Sequence, residues 1–410
     1  MGKVLGIISE YNPFHNGHLY HLQQSKKITG STYTVAIISG SFTQRGNTSL
    51  VDKWSKAEMA IKNGVDLVIE LPVVYATSSA ENFAQGSIKI LDSLKVVDYL
   101  SFGAETANIE ILDKFANILY NEPKEYKNIF LKEIKKGYSY PKARENALTT
   151  YLNDNKKYAN ILSGSNNILG IEYLKALKKY KSNISPIAIK RVENNYNDIS
   201  CSGDIVSATA IRNIIKNGNI DILNQMIPSS SFNILLENIK TGHIVPDLSL
   251  FEKEIIYNLR KMDISEISNI PDVSEGLEFS IKNTANCCNS LVEFLNIIKS
   301  KRYTSTRIQR ILLHSLLGIT KKDIIMSKKT NPYIRVLGFN KKGQFLISEI
   351  TKANPKLKIV TSVKRFIDSN SNKNLELMLN KDIFATNIYT IGYKYDSWSN
   401  LDFTKKIITE

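Results

Sequence analysis

Three of the five histidines of this 410-residue chain stand within seven positions, at His15, His18 and His21. They follow the apolar run VLGIIS of residues 4–9 and enclose the dipeptide NG. If a strand ends there and a helix begins, His15 and His18 share one side of the first helical turn. Imidazole N–H groups beside a helix N-terminus suit phosphate and can stabilise the charge that develops during nucleotidyl transfer.

Two other interpretations of these histidines are open. Three imidazoles could bind a metal ion, but no carboxylate or cysteine stands beside them at ligand spacing, and residues at i, i+3 and i+6 drift around a helix. Alternatively, they are packed or surface side chains without a chemical role. The position of HNGH directly after an apolar run favours phosphate binding, and we predict no metal site.

Regular alternation of strand and helix patterns surrounds the histidines. Apolar runs rich in Val, Ile and Leu, as expected of strands covered on both faces, occupy residues 4–9, 33–40, 65–72 and 97–105. Helical patterns lie between them at residues 17–27, 53–62 and 79–91. This order predicts right-handed crossovers, a parallel sheet and an α/β fold of the Rossmann-like type, with ligands at the carboxyl edge of the strands.

The later chain predicts three regions. A helix at residues 166–177, a strand at 184–192 and a helix capped by Ser207 and ended by Gly218 complete an ATP-binding domain at residues 1–228. Residues 229–320 are mostly helical in period. Residues 321–410 contain strand-like runs, YIRVLGF and KLKIV, and form a predicted small basic α/β domain.

The positive charge is concentrated near the C-terminal end of the chain. The net charge is +15, whereas residues 1–120 hold 10 Lys and Arg against 11 Asp and Glu. Such segregation indicates a polyanion, although a solvated lysine-rich surface would give the same composition. The basic amphipathic stretch 299–314 predicts RNA contacts at Lys301, Arg302, Arg307 and Arg310.

Cysteine content and hydropathy indicate the compartment. Cys201, Cys287 and Cys288 are too few and too badly spaced for a disulfide framework. No apolar run approaches the roughly 20 residues that span a bilayer. We expect a cytoplasmic protein without membrane segments.

Two motifs resemble those of a known superfamily. HNGH is similar to the HxGH signature of the HUP-type nucleotidyltransferases, which include class I aminoacyl-tRNA synthetases, and IVSATAIR at residues 205–212 resembles their second, phosphate-binding motif. Together with EYNPFHNGHLYHL, SGSFTQRGNTSLVDKW, GVDLVIELP, SFGAE, NNILGIEYLKAL and KRYTSTRIQRILLHSLLGI, they resemble the bacterial tRNA(Met) cytidine acetate ligases over nearly the whole chain.

The resemblance implies a reaction and a set of residues. Acetate would be activated by ATP as acetyl-adenylate and passed to N4 of the wobble cytidine of elongator tRNA(Met), with a Mg2+ requirement left open. His15 and His18 would be catalytic. The residues implied in ATP binding are Ile7, Ile8, Ser9, Glu10, Tyr11, Asn12, Pro13, Phe14, Asn16, Gly17, Leu19, Gly103, Asn166, Arg191, Ser207, Thr209 and Arg212.

Some assignments stay open at this stage. Asn166 and Asn167 are adjacent, and the family pattern does not decide between them. Gln44, Arg45 and Lys53 border a candidate acetate or phosphate pocket, although they could equally be charges and amides at helix ends. A small-molecule adenylyltransferase and a non-catalytic RNA-binding protein are the alternative functions, but the first leaves the basic final third unexplained.

Overall fold

The computed structural model describes residues 1–153, 161–162, 164–191 and 205–410. Its N-terminal half contains β1 Val4–Ser9, α1 Asn16–Thr29, β2 Tyr33–Ser39, α2 Lys53–Lys62, β3 Leu67–Leu71, α3 Val73–Ala76, α4 Ala80–Ser93, β4 Tyr99–Ala104, α5 Ile109–Asn121, α6 Lys124–Lys135, α7 Tyr140–Tyr151, α8 Ser165–Tyr180, β5 Ser185–Lys190 and α9 Ala208–Lys216.

The rest of the chain begins with helices. They are α10 Ser229–Lys240, α11 Glu252–Lys261, α12 Ile264–Ser268, α13 Leu277–Cys287, α14 Leu291–Ile298, α15 Ser305–Leu317 and α16 Lys321–Lys329, with 3-10 turns at Ile220–Gln225 and Leu248–Phe251. The remaining elements are β6 Tyr333–Phe339, α17 Lys341–Ala353, β7 Lys358–Val360, α18 Val363–Ser369, α19 Lys373–Ile391, α20 Leu401–Thr404 and β8 Ile408–Thr409.

One mixed sheet of the order β5-β4-β1-β2-β3-β6-β7 organises these elements, and β8 pairs with β6. Strands β1 to β5 run parallel to one another, which confirms the α/β fold with a mostly parallel sheet. Side chains alternate between two hydrophobic clusters: Ile37 packs in one and Ile38 in the other. Both faces of the sheet are therefore covered, which explains why the strands are uninterrupted apolar runs.

The strands expected in the C-terminal region are present, but they do not form a sheet of their own. β6 pairs antiparallel with β3, so residues 333–339 extend the N-terminal sheet. Buried charges also join the two regions, because Lys53 on α2 contacts Asp402 on α20 at 2.7 Å. The strand runs predicted for the small basic α/β region therefore join the N-terminal sheet, and the helices between residues 229 and 329 agree with the sequence pattern.

Cysteine pairing can be described for two of the three residues. Cys287 is an exposed free thiol and Cys288 is a buried one. Cys201 lies outside the described residues.

Candidate active site

The HNGH stretch forms the first turn of α1, with His15 as its N-cap residue. The Gly17 N–H donates to His15 Nδ1 at 3.0 Å, and the His15 N–H donates to His18 Nδ1 at 3.3 Å. A reciprocal pair of side-chain caps usually comes from serine or threonine with glutamate. Here two imidazoles supply both acceptors. The three-residue spacing of His15 and His18 is the spacing between the N-cap and N3 positions of such a cap.

These hydrogen bonds determine the tautomers of both rings. A neutral imidazole carries one N–H, and a ring nitrogen that accepts a hydrogen bond must be the unprotonated one. Since Nδ1 accepts in His15 and in His18, both rings carry their proton on Nε2. The two Nε2–H groups are donors without a role in the cap.

Both imidazoles are held in the neutral form. Burial, with the neighbouring charges of Arg191 and Arg212, lowers the pKa of His15 to about 3. Burial and the neighbouring imidazoles hold the pKa of His18 well below its usual value. At physiological pH the site therefore offers neutral N–H donors, rather than imidazolium charges.

The backbone N–H groups of this helix end are already occupied, contrary to the expectation that they are free for phosphate. The Asn16 N–H donates to Met226 O at 3.0 Å, and the His18 N–H donates to His15 O at 2.8 Å. With the Gly17 N–H bonded to His15, the helix contributes its dipole. The Nε2–H groups are the donors that remain for an anion.

Aromatic packing fixes the orientation of the rings. The His15 and His18 rings lie with their centroids 3.8 Å apart and tilted by 31°. The edge of Tyr11 meets His18 at 5.0 Å, and Phe14 lies 5.6 Å from it. Tyr11 adopts a left-handed φ of 46°, which is strained for a residue with a side chain, and its buried ring anchors that conformation.

The loop before the helix is held by the side chain of Asn12. Its amide donates to Thr48 O at 3.1 Å and accepts from the Leu50 N–H at 2.7 Å, as a strand neighbour would. The implied ATP-binding residues Ile7, Tyr11 and Phe14 bury their side chains in the core, where only their backbone could face a nucleotide.

Asn16 is engaged in the same way. Its side-chain amide donates to Gln225 O at 2.7 Å. The side chains of Asn12 and Asn16 therefore position the loop.

The two motifs that are about 190 residues apart in sequence meet at this loop. Ser207 caps α9 by accepting from the Ala210 N–H at 3.2 Å, as the sequence predicts. Arg212 donates to Asn12 O at 3.0 Å and to Thr209 Oγ1 at 3.2 Å. A Cβ at Gly17 would lie 3.3 Å from Ile205, so the absence of a side chain there permits the contact between the motifs.

A second polar cluster stands at the end of β4. The Asn166 side chain donates to Glu105 at 2.8 Å and accepts from Arg191 at 3.3 Å. A Cβ at Gly103 would meet the Arg191 side chain at 3.4 Å. The Asn167 side chain is fully buried and accepts from the Thr106 N–H at 2.9 Å. Of the two asparagines, only Asn166 is partly exposed beside Arg191.

Sequence reasoning missed Glu105 as part of this site. Its carboxylate accepts from the backbone N–H groups of Asn166 and Asn167. Partial burial acts to raise the pKa of Glu105, but these hydrogen bonds outweigh it and the pKa is lowered. An acid directly after an apolar strand and two positions after a glycine was the available signal, since such strand ends border ligand sites.

The three residues of the candidate acetate or phosphate pocket separate in the structure. Gln44 lies near the end of β1, where its backbone N–H donates to Glu10 at 2.7 Å. Arg45 is exposed and donates to Ser165 Oγ at 3.1 Å. Lys53 is fully buried, between Glu70 at 2.9 Å and Asp402 at 2.7 Å. The prediction that Lys53 borders a ligand pocket is wrong, because its ammonium forms ion pairs with two buried carboxylates.

The candidate RNA contacts also divide into two groups. Lys301 and Arg302 are exposed ahead of α15, which Thr304 caps. Arg310 is buried and donates to Asp272 at 2.8 Å, so the prediction that it contacts RNA is wrong. Arg307 is partly buried, and its guanidinium donates to Asp272 O at 2.9 Å and to Ser274 Oγ at 2.8 Å, which leaves fewer of its donors available.

The third histidine is also accounted for. His21 Nε2 lies 2.9 Å from Ser101 Oγ, and burial with the charge of Arg191 lowers the pKa of His21 to about 4. In the described ranges, no group of three His, Cys, Asp or Glu side chains is arranged to hold a metal ion.

The sequence matches known proteins over nearly its whole length. The sequence model of the HIGH nucleotidyl transferase family matches residues 2–402. A curated tRNA(Met) cytidine acetate ligase from Thermoanaerobacter sp. (strain X514) is 47% identical over 99% of both chains. Its counterpart from Acetivibrio thermocellus is 44% identical, also over 99% of both.

Solved structures agree over the same length. A crystal structure of Thermotoga maritima TmcAL in its apo form has a TM-score of 0.93 at 37% identity, covering 99% of each chain. The same protein bound with alpha-thio ATP gives a TM-score of 0.91 at 36% identity. Within the described part of the chain, none of the helices has the length and apolar composition needed to cross a bilayer.

Proposed function

The chain belongs to the HIGH nucleotidyltransferase family and, within it, to the tRNA(Met) cytidine acetate ligases, and we propose on that basis that it acetylates a tRNA cytidine with ATP and acetate. The substrate is the wobble cytidine of elongator tRNA(Met), and the acetyl group is joined to its N4. The observation that carries this proposal is the meeting of HNGH and SATAIR around two neutral imidazoles whose Nε2–H groups are unused by the cap.

The first step is the activation of acetate. An acetate oxygen attacks the α-phosphorus of ATP, the bond to the β-phosphate oxygen breaks, and pyrophosphate leaves with acetyl-adenylate formed. No protein nucleophile is needed, because such a step requires positioning and stabilisation of charge on the phosphate oxygens. His15 and His18 donate from Nε2 to those oxygens.

Neutral donors suit this role. They bind the growing charge without having to lose or gain a proton during the step. Arg212, on α9, and Arg191, after β5, flank the imidazoles and hold the departing phosphates as charged forks. Asn166 lies next to Arg191 and binds the nucleoside part of ATP through its amide.

The second step transfers the acetyl group. The N4 amine of the cytidine attacks the acetyl carbonyl carbon, AMP leaves, and the amine nitrogen loses a proton. A Mg2+ ion accompanying ATP would be held mainly by phosphate oxygens and would neutralise part of their charge, since the described part of the chain has no group of three His, Cys, Asp or Glu side chains to hold it.

The tRNA is drawn to the basic C-terminal region, where Lys301 and Arg302 are exposed. Residues 1–228 serve as the ATP-binding domain, 229–320 as a helical domain and 321–410 as a basic region that completes the sheet. The protein acts in the cytoplasm, where acetate, ATP and tRNA are present together.

A reconstituted reaction tests this function. Purified protein is incubated with ATP, acetate and an elongator tRNA(Met) transcript, and the tRNA is digested and analysed by nucleoside mass spectrometry. We expect N4-acetylcytidine and an equivalent amount of AMP. Formation of neither product would refute the proposal, whereas an adenylylated small molecule formed without tRNA would indicate the alternative adenylyltransferase.

A further inference from the structure

The loop between β2 and α2 contacts both the end of β1, next to the HNGH loop, and helix α15. We call residues 43–47 the rim loop. It is closed on itself, since the Thr43 N–H donates to Asn47 O at 2.8 Å and the Gly46 N–H donates to Thr43 O at 3.1 Å. The Gln44 N–H bond to Glu10 ties the rim loop to the end of β1, directly before the loop that carries HNGH.

The tip of the rim loop rests on the backbone of α15. Gly46 has a left-handed φ of 73°, and a Cβ there would lie 2.5 Å from Gln309 C and 2.5 Å from Arg310 N. Only glycine permits such an approach. The rim loop therefore holds a fixed position relative to the second turn of α15, about 8 Å along the helix from its Thr304 cap.

Arg45 extends from this loop without a charged partner. Its guanidinium is exposed and donates to Ser165 Oγ at 3.1 Å, at the N-terminus of α8. Among the described residues, no carboxylate lies within ion-pair distance of it. One weak hydrogen bond leaves most of its five N–H donors available to a ligand.

Arg45 lies near the arginines that flank the imidazoles. Burial lowers the pKa of His15, and the charges of Arg191 and Arg212 lower it further. Partial burial and the charge of Arg45 lower the pKa of Arg212. Arg45 therefore lies within electrostatic range of Arg212, while its guanidinium is exposed and donates to Ser165.

We propose that Arg45 binds a backbone phosphate of the RNA substrate next to the acceptor cytidine, while the RNA strand lies along Lys301 and Arg302. Nucleic-acid strands carry a charge about every 3.4 Å, so one strand can contact both places. The contact with α15 then fixes the distance between the RNA-binding surface and the acetyl-adenylate. This inference rests on the proposed function, because it requires RNA to be the acceptor.

Salt dependence of RNA affinity distinguishes a phosphate contact from a structural role. The dissociation constants for the tRNA transcript and for ATP are measured for the full chain, Arg45→Gln and Arg45→Lys at several salt concentrations. Lys142→Gln is the matched control, because Lys142 is an exposed cation outside the basic region whose partner, Glu145, lies on its own helix.

For Arg45→Gln we expect RNA affinity about tenfold lower, as for a lost charged hydrogen bond. The slope of log affinity against log salt should shrink by about 0.7 to 0.9, the loss of one phosphate contact. Arg45→Lys should keep the slope and recover part of the affinity, since it keeps the charge and loses the fork.

An unchanged slope in Arg45→Gln would overturn the inference, and so would a loss of ATP affinity larger than the loss of RNA affinity. A slope change equal to that of Lys142→Gln would also overturn it. Failure of the proposed function would show differently, as the absence of acetylated cytidine from the wild-type reaction.

Discussion

Replacing His15 with asparagine separates its two roles. Asparagine is one of the best N-cap residues, so His15→Asn keeps an acceptor for the Gly17 N–H and removes the Nε2–H donor. His15→Ala removes both. The pair of variants therefore distinguishes a histidine that serves the phosphate from one that serves only the helix.

The magnitudes follow from the geometry. The cap hydrogen bond of 3.0 Å from Gly17 is lost only in His15→Ala, which should be about 1 kcal/mol less stable than His15→Asn. Loss of one preorganised donor to developing charge costs about a hundredfold to a thousandfold in rate. Both variants should therefore form acetyl-adenylate more slowly by that factor.

Two assays measure these effects. Urea unfolding gives the free energy of unfolding of each variant, and acetate-dependent exchange between ATP and labelled pyrophosphate gives the rate of activation. If His15→Asn retained more than about a tenth of the wild-type exchange rate, the Nε2–H of His15 would not be the phosphate donor, and the mechanism would be wrong.

The buried charges and histidines give further predictions. Lys53→Met leaves Glu70 without its cation and should lower the free energy of unfolding by about 3 to 5 kcal/mol, as measured in urea; a loss below 1 kcal/mol would contradict the buried pair. Arg310→Ala should destabilise the fold and leave the salt slope for RNA unchanged, and a smaller slope would restore Arg310 as an RNA contact. The pKa values of His15 and His21, about 3 and about 4, lie below the unfolded value of 6.5, so the unfolded state binds more protons and stability falls as pH drops below 6.5. Urea titrations at pH 7.5 and 5.5 should differ by about 1.4 kcal/mol for each of them, and His21→Gln should remove one such share; an unchanged difference in that variant would contradict the burial of His21.

The sequence contained enough local information for the sheet and for the central site. Apolar runs without alternation indicate strands covered on both faces, and the carboxyl ends of parallel strands meet at one edge. HNGH follows β1 after the short loop of residues 10–14, and Ser207 caps the helix that carries Arg212. Local patterns predicted the elements that carry the two motifs, and the resemblance to the nucleotidyltransferases paired them, although Arg212 and Asn12 are 200 positions apart.

What the sequence could not give were the partners of individual charges. Lys53 looks like a helix-end lysine until α20 brings Asp402 to it across 349 positions, and Arg310 meets Asp272 across 38. A charge at a helix end is exposed or buried according to which distant element covers it, and no local pattern encodes that. The two asparagines likewise differ only in the folded chain, where the Asn166 side chain contacts Arg191 and the Asn167 side chain is buried.

The pairing of β6 with β3 was missed for a related reason. Strand patterns record burial and not the neighbour, so YIRVLGF predicts a strand equally well in a separate sheet or at the edge of an existing one. The buried charges on both strands, Glu70 and Arg335, stand in register, and they become visible as a pair only in the folded chain.

The central claim is that the Nε2–H groups of His15 and His18 bind the phosphates of ATP, while their Nδ1 atoms cap the helix. A crystal structure of this chain with a non-hydrolysable ATP analogue tests it most directly. We predict phosphate oxygens within about 2.7 to 3.2 Å of both Nε2 atoms, with the Gly17 hydrogen bond to His15 intact. Phosphates bound away from both rings, or rings turned so that Nδ1 faces the nucleotide, would contradict the claim.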